Sequence, residues 1–227
     1  MKKNGLFPIC MIMLFLYGLS FHARAQSADQ VGTLFEKLQW RSIGPAVMGG
    51  RTVDIDVVER QPWIIYAAIG PSGVWKTENN GITWMPVFHK ESSVSVGDVT
   101  VAQSHPDIVW VGTGEATSRN SVTIGDGVYK SVDAGKTWEN MGLRDTRHIS
   151  RIVLNPGDPN IVYIAAMGHL WGPNKERGIY KTIDGGKIWT QVLYVDENTG
   201  FADLAIDPSD SLTLYAAAYE HRRLPYH

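Results

Sequence analysis

Near-balanced charge, with 21 basic against 23 acidic residues in a chain of 227, lacks the basic excess that binding to nucleic acid or an anionic membrane requires. A single cysteine, Cys10, excludes an internal disulfide framework, and 23 glycines with 10% aromatic residues mark an ordered, turn-rich globular chain.

At the N-terminus, Lys2 and Lys3 precede an apolar stretch from Leu6 to Phe21, and Ala23-Arg24-Ala25 follows as a small-x-small site. Residues 1–25 therefore read as a secretory signal peptide cut after Ala25, and the expected location is secreted or periplasmic. The apolar stretch is too short and interrupted for a membrane span, which takes about 20 residues, so no stable membrane insertion is expected after cleavage. Cleavage removes Cys10, and with it thiol chemistry and cysteine–zinc sites; Cys10 also lies too early for a lipid-modified cysteine at the cleavage point. Loss of Lys2, Lys3 and Arg24 leaves a more acidic protein. Residues 26–39 form a lead-in, within which Asp29–Gln39 has the pattern of a short helix.

From Trp40 onward the chain repeats. Gly73-Val-Trp-Lys-Thr-Glu-Asn-Asn-Gly-Ile-Thr-Trp84, Gly127-Val-Tyr-Lys-Ser-Val-Asp-Ala-Gly-Lys-Thr-Trp138 and Gly178-Ile-Tyr-Lys-Thr-Ile-Asp-Gly-Gly-Lys-Ile-Trp189 align residue for residue. Each follows a strand-like block, Ile64-Ile-Tyr66, Ile108-Val-Trp110 and Ile161-Val-Tyr163, and a fourth such block stands at Leu212-Thr-Leu-Tyr215. Earlier still, Asp54, Asp98, Arg151 and Asp203 occupy one equivalent position, each followed by alternating apolar residues. Period-2 alternation, Val/Ile/Tyr/Trp enrichment and Gly/Asn/Asp/Pro punctuation predict four short strands per unit. In the third unit these are Arg151–Leu154, Ile161–Ala166, Gly178–Thr182 and a strand beginning at Trp189. Units of about 50 residues with four strands are propeller blades. Helical solenoids are excluded, because no long 3.6-residue period exists. The expected fold is all-β: residues 40–227 form a partial β-propeller of four-stranded antiparallel blades. The blades begin near residues 51, 95, 148 and 200, and the last is truncated, giving about three and a half blades.

The segment Ser131-x-Asp133-x-Gly135-x-Thr137-Trp138 resembles the Asp-box, also called the bacterial neuraminidase repeat. Thr182, Asp184, Gly186 and Trp189 repeat it with Ile188 in place of Thr; Thr77, Asn79, Gly81 and Trp84 repeat it with Asn79 in place of Asp. The wider pattern, from Trp40 to about Arg223, is similar to secreted bacterial proteins with a sortilin-type propeller, often labelled glycosyl hydrolase-like. The box residues are expected to be structural. Glycine supplies positive φ in a hairpin turn, while the Asp and Ser/Thr side chains bind turn backbone groups. The resemblance likewise implies that the boxes lie on the periphery.

Function is expected instead on the variable loops joining second to third strands. These supply Glu115, Arg119, His169, Trp171 and His221 as ligand-binding candidates, with Arg51 beside them. Asp54, Asp98 and Asp203 are weak catalytic candidates by position alone; pairing of Arg151 with these carboxylates across blades is the favoured reading, because a half-buried carboxylate needs a partner. No nucleophile elbow, metal-ligand spacing or phosphate loop is present, so no metal or cofactor is expected. The sialidase Arg-Ile-Pro segment is absent. The sortilin-type resemblance implies a secreted module that binds a peptide or protein ligand on its loop face, without evident catalysis. The alternatives are a sialidase- or xyloglucanase-like glycoside hydrolase acting on an extracellular glycan, and an extracytoplasmic assembly factor.

Overall fold

The computed structural model describes residues 50–117, 119 and 121–220. The signal peptide, the lead-in with its short helix, and His221 lie outside the described residues.

Three four-stranded antiparallel sheets and one two-stranded pair follow one another along the chain. The first contains β1 (Thr52–Val57), β2 (Ile65–Ile69), β3 (Gly73–Thr77) and β4 (Met85–Pro86). The second contains β5 (Val96–Val101), β6 (Val109–Thr113), β7 (Val128–Ser131) and β8 (Glu139–Asn140). After a 3-10 turn at Arg144–Thr146 come β9 (Ile149–Leu154), β10 (Val162–Ala166), β11 (Gly178–Thr182) and β12 (Thr190–Leu193). The pair is β13 (Thr199–Ile206) and β14 (Leu214–Glu220). Each sheet is a meander in which sequence neighbours are hydrogen-bonded neighbours, as the all-β, four-strand reading of the repeat expects.

The core lies between blades. Tyr66, Val74, Phe88, Val99 and Val111 join the first blade to the second, and Trp110, Ile149, Ile152 and Ile164 join the second to the third. Burial of these side chains contributes about 1.5–3 kcal/mol each.

The three boxes form the turn between third and fourth strands. Ser131 Oγ donates to Asp133 Oδ1 (2.8 Å) and accepts from the Gly135 amide (2.8 Å). Asp133 accepts from the amides of Lys136 (3.0 Å) and Thr137 (2.9 Å) and from the Thr137 hydroxyl (2.6 Å). Asp184 repeats the two amide bonds, with Ile188 unable to offer the hydroxyl. In the first box the polarity reverses: Asn79 Oδ1 accepts from the Thr83 amide (2.9 Å), while Asn79 Nδ2 donates to the Thr83 hydroxyl (2.8 Å). Gly81, Gly135 and Gly186 all have positive φ, and so do the residues before them, Asn80, Ala134 and Gly185.

One feature was not legible in the repeat. Each inner strand is bulged just before the shared charged position, between Thr52 and Asp54, Val96 and Asp98, Ile149 and Arg151, and Phe201 and Asp203. A bulge re-aims the following side chain, and here it turns four equivalent side chains toward one another. Gly97 is the bulged residue of the second blade; a Cβ there would lie 1.9 Å from the carbonyl oxygen of Ile149.

Gly97→Ala forces β5 away from β9 and should destabilise the fold by about 3 kcal/mol, read as a lower midpoint in urea denaturation. The Asp133 carboxyl is held down to about 2, chiefly by the Thr137 hydroxyl and amide. A depressed carboxyl contributes stability that is present above its unfolded value and lost as pH falls through the folded one. The Asp133 contribution should therefore fade between about pH 4 and pH 2, and thermal melts of Asp133→Asn should lack that component.

Candidate functional site

The shared inner-strand position forms an ion cluster. Arg151 Nη1 lies 3.0 Å from Asp98 Oδ1 and 3.3 Å from Asp54 Oδ1, and Arg151 Nε lies 2.9 Å from Asp203 Oδ1. One guanidinium thus ties together the inner strands of all four blades. The carboxylates also accept backbone amides across blade boundaries. Asp98 Oδ2 takes the Ile152 amide at 2.8 Å, Asp54 Oδ2 takes that of Val99 at 3.4 Å, and Asp56 Oδ2 takes that of Val101 at 2.7 Å.

Burial decides how these groups titrate. Desolvation pushes the Asp98 carboxyl well above its usual range and the charge of Asp54 adds to this; Arg151 and the Ile152 amide oppose but do not cancel it. Burial also pushes Asp203 upward, but the hydrogen bond from Arg151 and the Leu204 amide outweigh it and leave that carboxyl lowered. Asp98 is 1% exposed and Asp203 is 61% exposed at the side chain, which accounts for the opposite signs.

The loop-borne candidates occupy the end of the blades where second strands pass to third. Glu115 is buried, and its carboxylate is paired with Arg51 and, at 3.5 Å, with Arg119. Gly70 makes room for it: a Cβ there would lie 3.0 Å from Glu115 Oε1. The two arginine side chains remain about a third exposed, at 39% and 35%, with Arg119 Nε itself buried, so a buried carboxylate braces two cations at the edge of the surface. Ser95 Oγ accepts the Glu115 amide at 3.2 Å and donates to the Thr123 carbonyl at 2.7 Å, while Ser93 Oγ donates to the Ile124 carbonyl at 3.2 Å. These bonds hold the long second-blade loop down beside a hollow of about 470 Å³, lined by Pro71, Ser93, Ser95, Thr123, Asp126 and Arg144 among others.

His169 and Trp171 lie on the third-blade loop, away from Arg51 in the sequence order of blades. His169 Nε2 is 2.9 Å from the Asp145 carbonyl, and Trp171 is 51% exposed. Among the described residues no group of three or more His, Cys, Asp or Glu is placed to hold a metal ion.

Two organising residues escaped the sequence reading. Arg177 is fully buried and donates to the carbonyls of Glu197 (2.9 Å), Met167 (2.7 Å) and His169 (2.7 Å). Asp126 accepts from Tyr129 Oη at 2.7 Å and takes Thr113 Oγ1 and Arg144 at longer range. Both stand immediately before the first glycine of the repeat. That shared register was the available signal: a polar residue there sits where the loop must turn back into the third strand.

Similarity to known proteins follows the same frame. The solved structure of an ancestral GH74 enzyme superimposes with a TM-score of 0.62 at 21% identity, over 78% of this chain and 23% of that one. The chain is a partial β-propeller. In sequence, the propeller is 30% identical over 111 residues to an oligoxyloglucan-reducing end-specific xyloglucanase of Emericella nidulans, covering 46% of this chain and 13% of that protein. It is 23% identical over 169 residues to the xyloglucanase Xgh74A of Acetivibrio thermocellus, covering 68% of this chain and 19% of that protein. The propeller therefore spans less than a fifth of the length of either relative. No family model matches it.

Removing the central cation tests the cluster. Arg151→Met strands a buried Asp98 beside Asp54 and should destabilise by about 3–5 kcal/mol near neutral pH. Asp98 has a raised folded value, so its ionisation costs stability as pH rises above the unfolded value. The Arg151→Met loss should accordingly be smaller at pH 4 than at pH 7, measured as urea midpoints at the two pH values.

Proposed function

We propose that this propeller is a secreted or periplasmic binding module that holds a peptide or protein segment on its second-to-third-strand loop face. The observation that carries the reading is the brace on that face. Glu115, buried under Arg51 and Arg119, fixes two partly exposed arginine side chains, and the same second-blade loop goes on to line a hollow of about 470 Å³ through Thr123, Ile124 and Asp126. Cavities of this size hold small ligands or a few residues of chain, and fixed guanidinium forks suit carboxylate groups of a polypeptide. Braced cations lose little side-chain freedom on binding, which lowers the entropic cost of association. The engagement of Asp54, Asp98 and Asp203 by Arg151 and backbone amides supports a structural role for those carboxylates.

A second reading is favoured by the sequence similarity to two xyloglucanases: hydrolysis or binding of an extracellular glycan. A two-carboxylate glycosidase needs one acid and one base or nucleophile about 5–9.5 Å apart. Asp98, raised by burial, is the group in the cluster with the character of an acid.

Thermal-shift screening of the protein against peptide and oligosaccharide libraries, xyloglucan fragments included, separates the two. Peptide stabilisation that weakens about tenfold or more in Arg51→Ala and Arg119→Ala, with no sugar turnover, is the expected outcome. Turnover of an oligosaccharide that disappears in folded Asp98→Asn or Asp54→Asn would replace the binding reading with the hydrolytic one.

A further inference from the structure

We propose that the hollow beside the second-blade loop selects an aliphatic side chain of a peptide whose neighbouring Asp or Glu is held by Arg51 and Arg119; this rests on the peptide-binding reading above. The hollow and the brace adjoin. Gly70 packs against the Glu115 carboxylate, and Pro71, next in the chain, lines the hollow. Ser95 also lines the hollow, while its hydroxyl accepts the Glu115 amide at 3.2 Å. At the brace two guanidiniums face one carboxylate, which leaves one positive charge for a ligand carboxylate to match. The hollow, at about 470 Å³, is larger than any single side chain, so the ligand backbone runs on across it rather than ending at the brace. The carboxylate is therefore that of a side chain.

The three serines that line the hollow have spent their hydroxyl hydrogens inside the protein. Ser95 Oγ donates to the Thr123 carbonyl at 2.7 Å, and Ser93 Oγ donates to the Ile124 carbonyl at 3.2 Å. The Ser92 hydroxyl donates to Asp126 Oδ2, which also accepts from Tyr129 Oη at 2.7 Å. Arg144 faces that same carboxylate at 3.5 Å, so the charged pair on this wall is matched internally. Pro71, Val94 and Ile124 supply the remaining wall. A sugar or Ser/Thr hydroxyl entering here would lose its water and find no serine hydrogen to replace it. An aliphatic side chain has nothing to lose and gains in proportion to the area it buries.

Ile124 is the apolar contact that packing within the blades does not explain. It is 52% exposed, yet its loop is pinned in place. Besides the two serine bonds to its carbonyls, the Gly125 amide donates to the Arg147 carbonyl at 2.8 Å, and the Asp126 amide donates to Thr113 Oγ1 at 2.8 Å. Gly125 itself is packed so closely that a Cβ there would lie 2.3 Å from the Gly114 nitrogen. An isoleucine held at the surface in this way meets a ligand without first having to be ordered, which lowers the cost of association.

The test titrates short peptides, acetylated and amidated at their ends, into the full chain by calorimetry. Each carries Asp beside Val, Thr or Ala. Val and Thr have nearly the same shape, so only the hydroxyl separates them. The Val peptide should bind about tenfold or more tighter than the Thr peptide. Ile124→Ser, which alters an exposed side chain, should bring the two affinities within about twofold, while Arg51→Ala should weaken both in equal proportion. If Ile124→Ser does not melt cooperatively by circular dichroism, the Val-to-Thr ratio on the unmodified chain decides alone. Equal Val and Thr affinities that still depend on Arg51 overturn the aliphatic pocket and leave the peptide-binding reading standing. Discrimination that survives Ile124→Ser in a folded variant overturns this hollow as its source. Tighter binding of peptides with a free C-terminal carboxylate, indifferent to Asp→Asn, overturns the side-chain carboxylate. Absence of binding by every peptide overturns both the pocket and the reading beneath it.

Discussion

A sheet of four short strands satisfies its own backbone but cannot hide both of its faces, so the structure depends on how one blade is fastened to the next. The fastening is a reciprocal pair of polar contacts at the rim: Lys76 and Lys130 donate forward to the Ala134 and Gly185 carbonyls of the next box, and the indoles of Trp138 and Trp189 donate back to the carbonyls of Val87 and Met141. Each such hydrogen bond is worth about 1 kcal/mol net. Their larger effect is positional, because they fix the spacing at which Phe88 and Trp138, or Trp110 and Trp189, meet edge to face at 5.1 and 6.1 Å. The Asp-box is therefore best understood as the device that presents a tryptophan at a set height. The Asp and Ser/Thr hydrogen bonds shape the turn, and the turn aims the indole.

Toward the axis the fastening is ionic. Bulges before Asp54, Asp98, Arg151 and Asp203 direct these residues to a common region, where one guanidinium serves three carboxylates. Three negative charges on one positive charge form an unbalanced arrangement, and the protein relieves it by distributing burial. Asp203 faces solvent, while Asp98 is buried with a raised affinity for its proton. Amides from the neighbouring inner strands supply the remaining donors. The same residues thus close the gap between inner strands and set the electrostatics of the central region.

The loop face is built by different means. Its long connections are held by single polar residues, the buried Arg177 in the third blade and the half-buried Asp126 in the second, which satisfy loop carbonyls or gather hydroxyls. Buried polar groups of this kind cost stability unless fully paired, so their use marks segments whose shape is maintained. Arg51 and Arg119 owe their placement to the same logic, with Glu115 beneath them.

How much of this could be read from the chain follows from range. The blades, the strand order and the box turns come from contacts within about a dozen residues, and the repeat of Gly-x-aromatic-Lys with Ser131, Asp133, Gly135 and Trp138 carries them openly. Even the substitution at Asn79 was interpretable, since an amide oxygen accepts as a carboxylate does. The candidate site was legible only as a set of positions. That Arg151 would meet Asp54 across 97 residues, that Glu115 would be buried beneath Arg51 across 64, and that Arg177 would turn inward were decided by the bulges and by the angle between blades. Those depend on packing of whole sheets, which no local pattern encodes. The sequence by itself determined the blades and their turns, through short-range hydrogen bonding and alternation. Tertiary structure alone decided which charges meet, because burial and distance between blades exist only once the sheets are stacked.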